Sequence, residues 1–257
     1  VLARPWVPVA AITLVLGGLV AAIKFNRINK RPISCSHEVL PLITAVLENA
    51  TERMVALGAV LLAMPLNMAF AAGAWAMWQT LDDGTAIGGT RRSDHIGPFA
   101  CALGGWALTA LIALNDRDLD PRHILHNSLV AVFVLCVGAF LICSLRSLQW
   151  RTQSGVCPKA VMEVRTRLLA FRRSVIMIAI LGILAFGGLT VAGVLNGSCE
   201  AYRRISLYTA VAEYVAVLSL AAQYAEHAYE FHLFRSSGIC SRTDAEGSPS
   251  SLSSLSP

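Results

Sequence analysis

The sequence predicts an all-α polytopic membrane protein, a bundle of six transmembrane helices. Its 257 residues are 55% hydrophobic and only 14% charged, and the mean hydropathy is +0.59, which is typical of chains that face lipid rather than water. Six apolar runs of about 17 to 25 residues follow one another, each long enough to cross about 30 Å of hydrocarbon as a helix. The short alternating segments of a transmembrane β-barrel are missing from the sequence, so the helical class is favoured.

The six predicted spans, in chain order, are 7–23, 54–78, 96–114, 127–145, 174–195 and 207–225. The first run is too long, and too poor in cleavage-site residues, for a signal peptide, so we interpret it as a span. The spans and their connections predict one transmembrane domain over residues 1–231. The Ser-rich stretch over residues 232–257 buries too little apolar surface to order itself and is predicted to be a disordered cytosolic tail.

The connection between spans four and five is the most basic one in the chain. Residues 150–173 carry Arg151, Lys159, Arg165, Arg167, Arg172 and Arg173. The positive-inside rule places this connection, and with it both termini, in the cytosol. The connection after span one opposes this orientation, since Lys24, Arg27, Lys30 and Arg31 would be lumenal. Basic residues dispersed over short connections suit anionic lipid headgroups, so no nucleic-acid partner is predicted.

Two sequons and two cysteines fall on the side predicted to be lumenal. The sequons begin at Asn49 and Asn196, which are candidate glycosylation positions. Cys35 and Cys199 lie on the same side, where an oxidising lumen would permit a disulfide between them. Two unpaired thiols are the alternative, and the sequence does not decide between them.

Small residues four apart predict close packing between helices. Such pairs are Ala69 with Gly73, Ala100 with Gly104, Gly105 with Thr109, and Gly188 with Ala192. Small side chains allow helix backbones to approach where lipid removes the hydrophobic drive for association. Asn67, within span two, is interpreted as a polar contact between helices.

Glu213 is the most informative residue, because it lies several residues inside the sixth span. A carboxyl group at that depth is neutralised, paired or turned towards water. Ser206 and Thr209 precede it by seven and four residues and therefore share its helix face, forming a polar stripe from the lumenal end. Two readings stay open: a carboxyl group that hydrogen-bonds a neighbouring helix, or a site for a lipid headgroup or a reaction.

A group of acidic residues and histidines precedes span four. It consists of Asp116, Asp118, Asp120, His123 and His126. One interfacial histidine in acid–base work is favoured over a metal site, since the spacing is not that of a metal motif. The sequence lacks a serine nucleophile elbow, a phosphate-binding glycine loop and a Cys-x-x-Cys motif, so neither a metal nor a cofactor is predicted.

The last third of the chain carries a series of short motifs: Cys199-Glu200-Ala201, Tyr208-Thr209, Glu213-Tyr214, Val217-Leu218 and Tyr229-Glu230-Phe231. With these motifs it resembles the end of the post-GPI-attachment-to-proteins factor 2 family, within the wider DRAM-type superfamily of six-span membrane proteins. Pro32-Ile33-Ser34 resembles a motif after span one, and His126 takes the place of a histidine that opens span four. The family's histidine late in span six is replaced by Tyr224, with His227 one turn further on.

The resemblance implies a multi-pass protein of the Golgi or endoplasmic reticulum membrane that supports GPI-anchor lipid remodelling. The implied step restores a saturated fatty acid to a lyso-GPI anchor. The implied partners are membrane lipid, GPI-anchored proteins and an acyl donor, either a lipid or acyl-CoA.

Two roles remain open at this stage. In the first, the chain is an acyltransferase in which His126 or Glu213 is the catalytic base and both face one cavity. Ser206, Thr209, Tyr214, Glu200 and His123 are then the candidate substrate-binding residues. In the second, the chain is a non-enzymatic lipid-binding or accessory protein of the DRAM type, which acts in the endolysosomal system or in autophagy.

Overall fold

The computed structural model describes residues 4–29, 42–82, 92–114, 124–153, 159–195 and 199–237, and every regular element in those ranges is a helix. The helices are α1 (Trp6–Ile28), α2 (Ile43–Val46), α3 (Ala50–Asp82), α4 (Arg92–Ala113), α5 (Ile124–Gln153), α6 (Lys159–Leu195) and α7 (Cys199–Ser237). All of them except α2 are long and apolar enough to cross a membrane, six in total among the described residues. The predicted fold class is confirmed.

The long helices extend beyond the predicted spans at their polar ends. A helix that has formed in hydrocarbon continues into the headgroup region, because each further residue adds one backbone hydrogen bond at little cost. α7 continues to Ser237, so residues 232–237 are helical rather than part of a tail, and residues 238–257 lie outside the described residues. The four-residue α2 is an element that the apolar pattern did not predict.

The six long helices form a ring in the order α1, α3, α4, α5, α6, α7, and α7 also contacts α1. We call the end where α5 finishes and α6 begins the basic end, and the other the opposite end. The C-terminal part of one helix contacts the N-terminal part of the next. For example, Trp75 Nε1 of α3 donates a hydrogen bond to His95 Nδ1 of α4. Neighbouring helices in the ring therefore run antiparallel.

Several helix contacts depend on glycine. A Cβ atom on Gly18 of α1 would lie 2.3 Å from the Cβ atom of Ala59 of α3, so only glycine permits this approach. A Cβ atom on Gly104 would lie 3.4 Å from Cys136 of α5, which agrees with the predicted packing of that residue. The expectation for Gly188 with Ala192 is wrong. Both are exposed and a Cβ atom on Gly188 would meet nothing within 4 Å, because α6 turns this face to lipid.

Candidate functional site

The ring encloses an apolar cavity of about 170 Å³. Its walls come from α1, α3, α4, α5 and α7, with no lining residue from α6 in the described parts of the chain. Along α4 the lining runs from Ala100 to Ile112, which is about 18 Å at a rise of about 1.5 Å per residue. The cavity is therefore long and narrow, with its long axis along the helices.

A polar group closes the cavity towards the basic end. The Tyr224 hydroxyl donates to Asn67 Oδ1 at 2.7 Å, and Asn67 Nδ2 donates to the carbonyl oxygen of Cys101 at 3.3 Å. Asn67 thus links α3 to α4 and α7, which agrees with the predicted polar contact between helices. Gln223 also lines this end, and its buried Oε1 accepts no hydrogen bond from the described residues. A water molecule at this position would satisfy it.

At the opposite end, Glu213 lies directly beyond the cavity wall. Val217, Leu220 and Tyr224 line the cavity from α7, and Glu213 precedes Val217 by four residues. These spacings place all four on one helix face. The Glu213 side chain is buried, and its Oε2 accepts a hydrogen bond from the backbone N–H of Ile43 at 2.7 Å. The predicted placement of Glu213 in the bundle interior is confirmed, and Ile43 is a partner that the sequence did not indicate.

Asn26 of α1 and Glu52 of α3 form another buried polar pair at the same end of the bundle. Each shares a face with cavity-lining residues of its own helix, Leu19 for Asn26 and Val60 for Glu52. Both side chains are buried, at 2% and 0% exposure, and Asn26 Nδ2 donates to Glu52 Oε1 at 3.4 Å. We call Asn26, Glu52 and Glu213 the polar cap. The cap places two buried carboxyl groups at the same end of the bundle, one to two helical turns beyond residues that line the cavity.

Glu52 is a member of the cap that sequence analysis missed. The apolar run begins at Met54 and therefore leaves Glu52 in a connection, whereas α3 begins at Ala50. The available signal was its spacing, because Glu52 precedes Ala56 and Val60 by one and two turns of the same face.

The predicted substrate-binding residues differ in what they contact. Ser206 and Thr209 are fully buried on the face of Glu213, and the Thr209 hydroxyl donates to the carbonyl oxygen of Ile205 within the same helix at 3.0 Å. Tyr214 is partly buried and packs against the apolar cluster that contains Ile43 and Val60. Ser206 and Thr209 therefore continue the polar stripe outward from the cap.

The other predicted positions are less fully described. His126 lies in the first turn of α5 and is partly buried. α7 packs chiefly on α6 and α1, and α5 chiefly on α4, so a cavity shared by His126 and Glu213 stays a prediction. Asn49 lies just before α3, and Glu200 lies in the first turn of α7. His123, Asn196 and the predicted partner of Cys199, Cys35, lie outside the described residues.

A second buried polar cluster lies at the basic end. The Arg172 guanidinium donates to Glu226 and Glu230, with Nη2 2.7 Å from Glu230 Oε2, and His227 Nδ1 lies 3.4 Å from Glu226 Oε2. The two carboxylates and the histidine have the donor atoms of a metal site, but the guanidinium already supplies a cation there. Sequence analysis missed this cluster because Glu226 and Glu230 follow the predicted end of span six, and Arg172 was counted with a connection.

Comparison with known proteins agrees with this architecture. The model of the Frag1/DRAM/Sfk1/Cwh43P N-terminal domain family matches residues 3–234, which covers all six spans. No curated protein and no solved structure matches the chain. Because this match extends over most of the chain, the multi-pass bundle described above belongs to the Frag1/DRAM/Sfk1/Cwh43P N-terminal domain family.

Proposed function

We propose that this protein supports GPI-anchor lipid remodelling in the secretory pathway, at the reacylation of lyso-GPI-anchored proteins with a saturated fatty acid. The observation that carries the proposal is the polar cap at one end of a narrow apolar cavity, the end predicted to be lumenal. A lyso-GPI anchor likewise has an apolar part and a polar part, since it carries one hydrocarbon chain attached to a polar headgroup. The family resemblance of the last third of the chain supports the same assignment.

In this proposal the cavity holds the chain and the cap holds the headgroup. Acyl transfer needs a base that removes the proton from the lysolipid hydroxyl while its oxygen attacks the acyl carbonyl carbon of the donor. The donor's ester or thioester bond breaks, and the thiol of CoA or the hydroxyl of a lysolipid leaves with a proton. Glu213 and His126 are the candidates for the base. GPI-anchored proteins, membrane lipid and an acyl donor lipid or acyl-CoA are the partners, in the Golgi or endoplasmic reticulum membrane.

One observation favours a second candidate function, that of a lipid-binding accessory protein of the DRAM type without acyl transfer. Glu213 accepts the Ile43 N–H at 2.7 Å, a contact that fastens the segment around α2 to α7. A carboxylate engaged in this way has a structural role whether or not it takes part in chemistry. The two candidates differ in whether titratable carboxyl groups are needed once the fold is intact.

The test uses cells that lack the native protein and measures the fatty acids of purified GPI-anchored proteins by mass spectrometry. Wild-type chain is expected to restore saturated anchors. Glu213→Gln keeps an oxygen that accepts the Ile43 N–H but removes the titratable group, so it should accumulate normally and fail to restore them. The matched control is Glu163→Gln, since Glu163 is exposed at the basic end in an ion pair with Arg167.

Each outcome separates the candidates. Normal remodelling with Glu213→Gln would exclude an acid–base role for this residue and favour the accessory function. Failure of the wild-type chain to change the anchors of deficient cells would exclude the GPI function altogether.

A further inference from the structure

The contacts between α5 and α6 that the described side chains define lie at the basic end of the ring. There Leu148 of α5 packs against Leu168 and Leu169 of α6. At the same level Arg172 Nη1 donates to the carbonyl oxygen of Ser144 at 2.9 Å. Within the described residues, α5 with α6 and α1 with α7 are the two neighbouring pairs in the ring with the least contact.

Towards the opposite end the facing surfaces of α5 and α6 separate. On α6, Leu169 and Ile176 are buried, whereas Ile180 and Gly187, which continue the same face, are exposed. A Cβ atom on Gly187 would meet nothing within 4 Å. The same is true of Gly138, on the face of α5 that carries Leu145 and Leu148. A gap therefore lies between the two helices in the half of the membrane that contains the polar cap.

The gap leads towards the cavity. Phe133 and Val137 line the cavity from α5, and Val217 and Leu220 line it from α7. α6 stands between these two helices in the ring, yet none of its described residues lines the cavity. Among the described residues, α6 therefore contributes nothing to the wall of the cavity between Phe133 and Val137 of α5 and Val217 of α7.

The geometry points to a lateral entrance between α5 and α6, through which the single acyl chain of a lysolipid passes from the leaflet on the polar-cap side into the cavity. This inference deepens the proposed function, on which it rests for the identity of the headgroup. The occupant follows from shape. A mostly apolar lining drawn out for about 18 Å along the helices suits one flexible hydrocarbon chain rather than a rigid sterol ring system. The cap above the cavity then faces the headgroup.

The test uses purified full-length protein in nanodiscs and a palmitoyl lysophosphatidylinositol with a photoreactive diazirine at the end of its chain. Adducts mapped by mass spectrometry are expected on the segments of α5 and α7 that line the cavity. Unlabelled lysophosphatidylinositol should compete for them, and unlabelled cholesterol should not. Adducts restricted to lipid-facing surfaces, or competition by cholesterol alone, would overturn the inference.

Two substitutions block the entrance without a clash in the fold. Gly187→Trp and Gly138→Trp place a large side chain in open space, and each should lower labelling of the cavity roughly fivefold or more by filling the path. The matched control is Gly58→Trp, because Gly58 of α3 also faces open space but lies on the helix face away from the cavity. Equal labelling in folded Gly187→Trp and Gly58→Trp proteins would exclude an entrance at this gap.

The labelling experiment tests the entrance and the cell assay tests the proposed function, so either claim can be refuted without the other. Labelling of the cavity in a chain that leaves GPI anchors unchanged would refute the proposed function and retain the entrance. Normal remodelling by a chain with no labelling of the cavity would refute the entrance alone. If neither tryptophan variant accumulates, the map of adducts in the wild-type protein decides.

Discussion

Arg172 shows how a single buried side chain can tie three helices together. Its Nε donates to Glu226 Oε2 at 2.8 Å, its Nη2 donates to Glu230, and its Nη1 donates to the Ser144 carbonyl oxygen, so α6 is joined to α7 and α5. All of these groups are buried. A guanidinium suits this position, because its planar set of donors can satisfy several acceptors at once.

Removal of Arg172 is expected to be strongly destabilising. Arg172→Met leaves Glu226 and Glu230 buried without their cation, and it should lower the free energy of unfolding by about 3–5 kcal/mol. The neighbouring Arg173 is exposed, so Arg173→Met should change it by less than about 0.5 kcal/mol. Unfolding in detergent followed by circular dichroism measures both. Equal stability of the two variants would show that the cluster contributes little.

The contact between Glu213 and Ile43 makes a separate prediction about local order. Glu213→Leu removes the acceptor, whereas Glu213→Gln retains one, so only the leucine variant should speed hydrogen exchange at the Ile43 amide. We expect a rise of roughly tenfold, the equivalent of about 1.4 kcal/mol, measured by mass spectrometry of the peptide that contains α2. Unchanged exchange in the leucine variant would mean that other contacts hold this segment.

At the scale of the element, the contact of α1 with α3 depends on which glycine faces the partner. Gly18 lies against Ala59, whereas a Cβ atom on the adjacent Gly17 would meet nothing within 4 Å. Gly18→Val should therefore lower the free energy of unfolding by about 1–3 kcal/mol through overpacking. Gly17→Val is the control and should remain near wild type, since both variants share the same change in helix propensity. Thermal unfolding in detergent compares them, and an equal effect would assign the loss to propensity.

The sequence predicted the helices better than the contacts between them. Length and apolar content are enough to define a span, which is why all six were found. The failure at Gly188 and Ala192 has a physical cause, because a membrane helix is apolar on every face and a small-residue pair does not reveal whether its neighbour is protein or lipid. Glu52 and Arg172 were missed for another reason. Each lies where the apolar run ends while the helix continues.

At the scale of the whole molecule, the ring places its two buried polar groups at opposite ends. Arg172, Glu226 and Glu230 close the basic end, and Asn26, Glu52 and Glu213 cap the other end, with the apolar cavity between them. The cluster at the basic end joins α5, α6 and α7, whereas no comparable contact joins α5 to α6 beyond Ile176 among the described residues. Because α5 and α6 are in contact at the basic end and separated at the other end, the ring suits entry of a lipid chain from one leaflet only.

The orientation of the ring decides whether that leaflet is the lumenal one. The basic connection over residues 150–173 predicts a cytosolic basic end, whereas Lys24 and Arg27 near the other end oppose this orientation. The charges alone therefore do not decide the orientation of the bundle. In sealed microsomes a tag at the C-terminus should be digested by added protease. A glycosylation sequon placed between α4 and α5, within 115–123, should be modified, whereas one within 83–91 should not. A protected tag and the reverse pattern of modification would turn the polar cap to the cytosol. Because the glycan and headgroup of a GPI anchor lie in the lumen, that result would also exclude the proposed function while leaving the cavity and its entrance open to a cytosolic lysolipid.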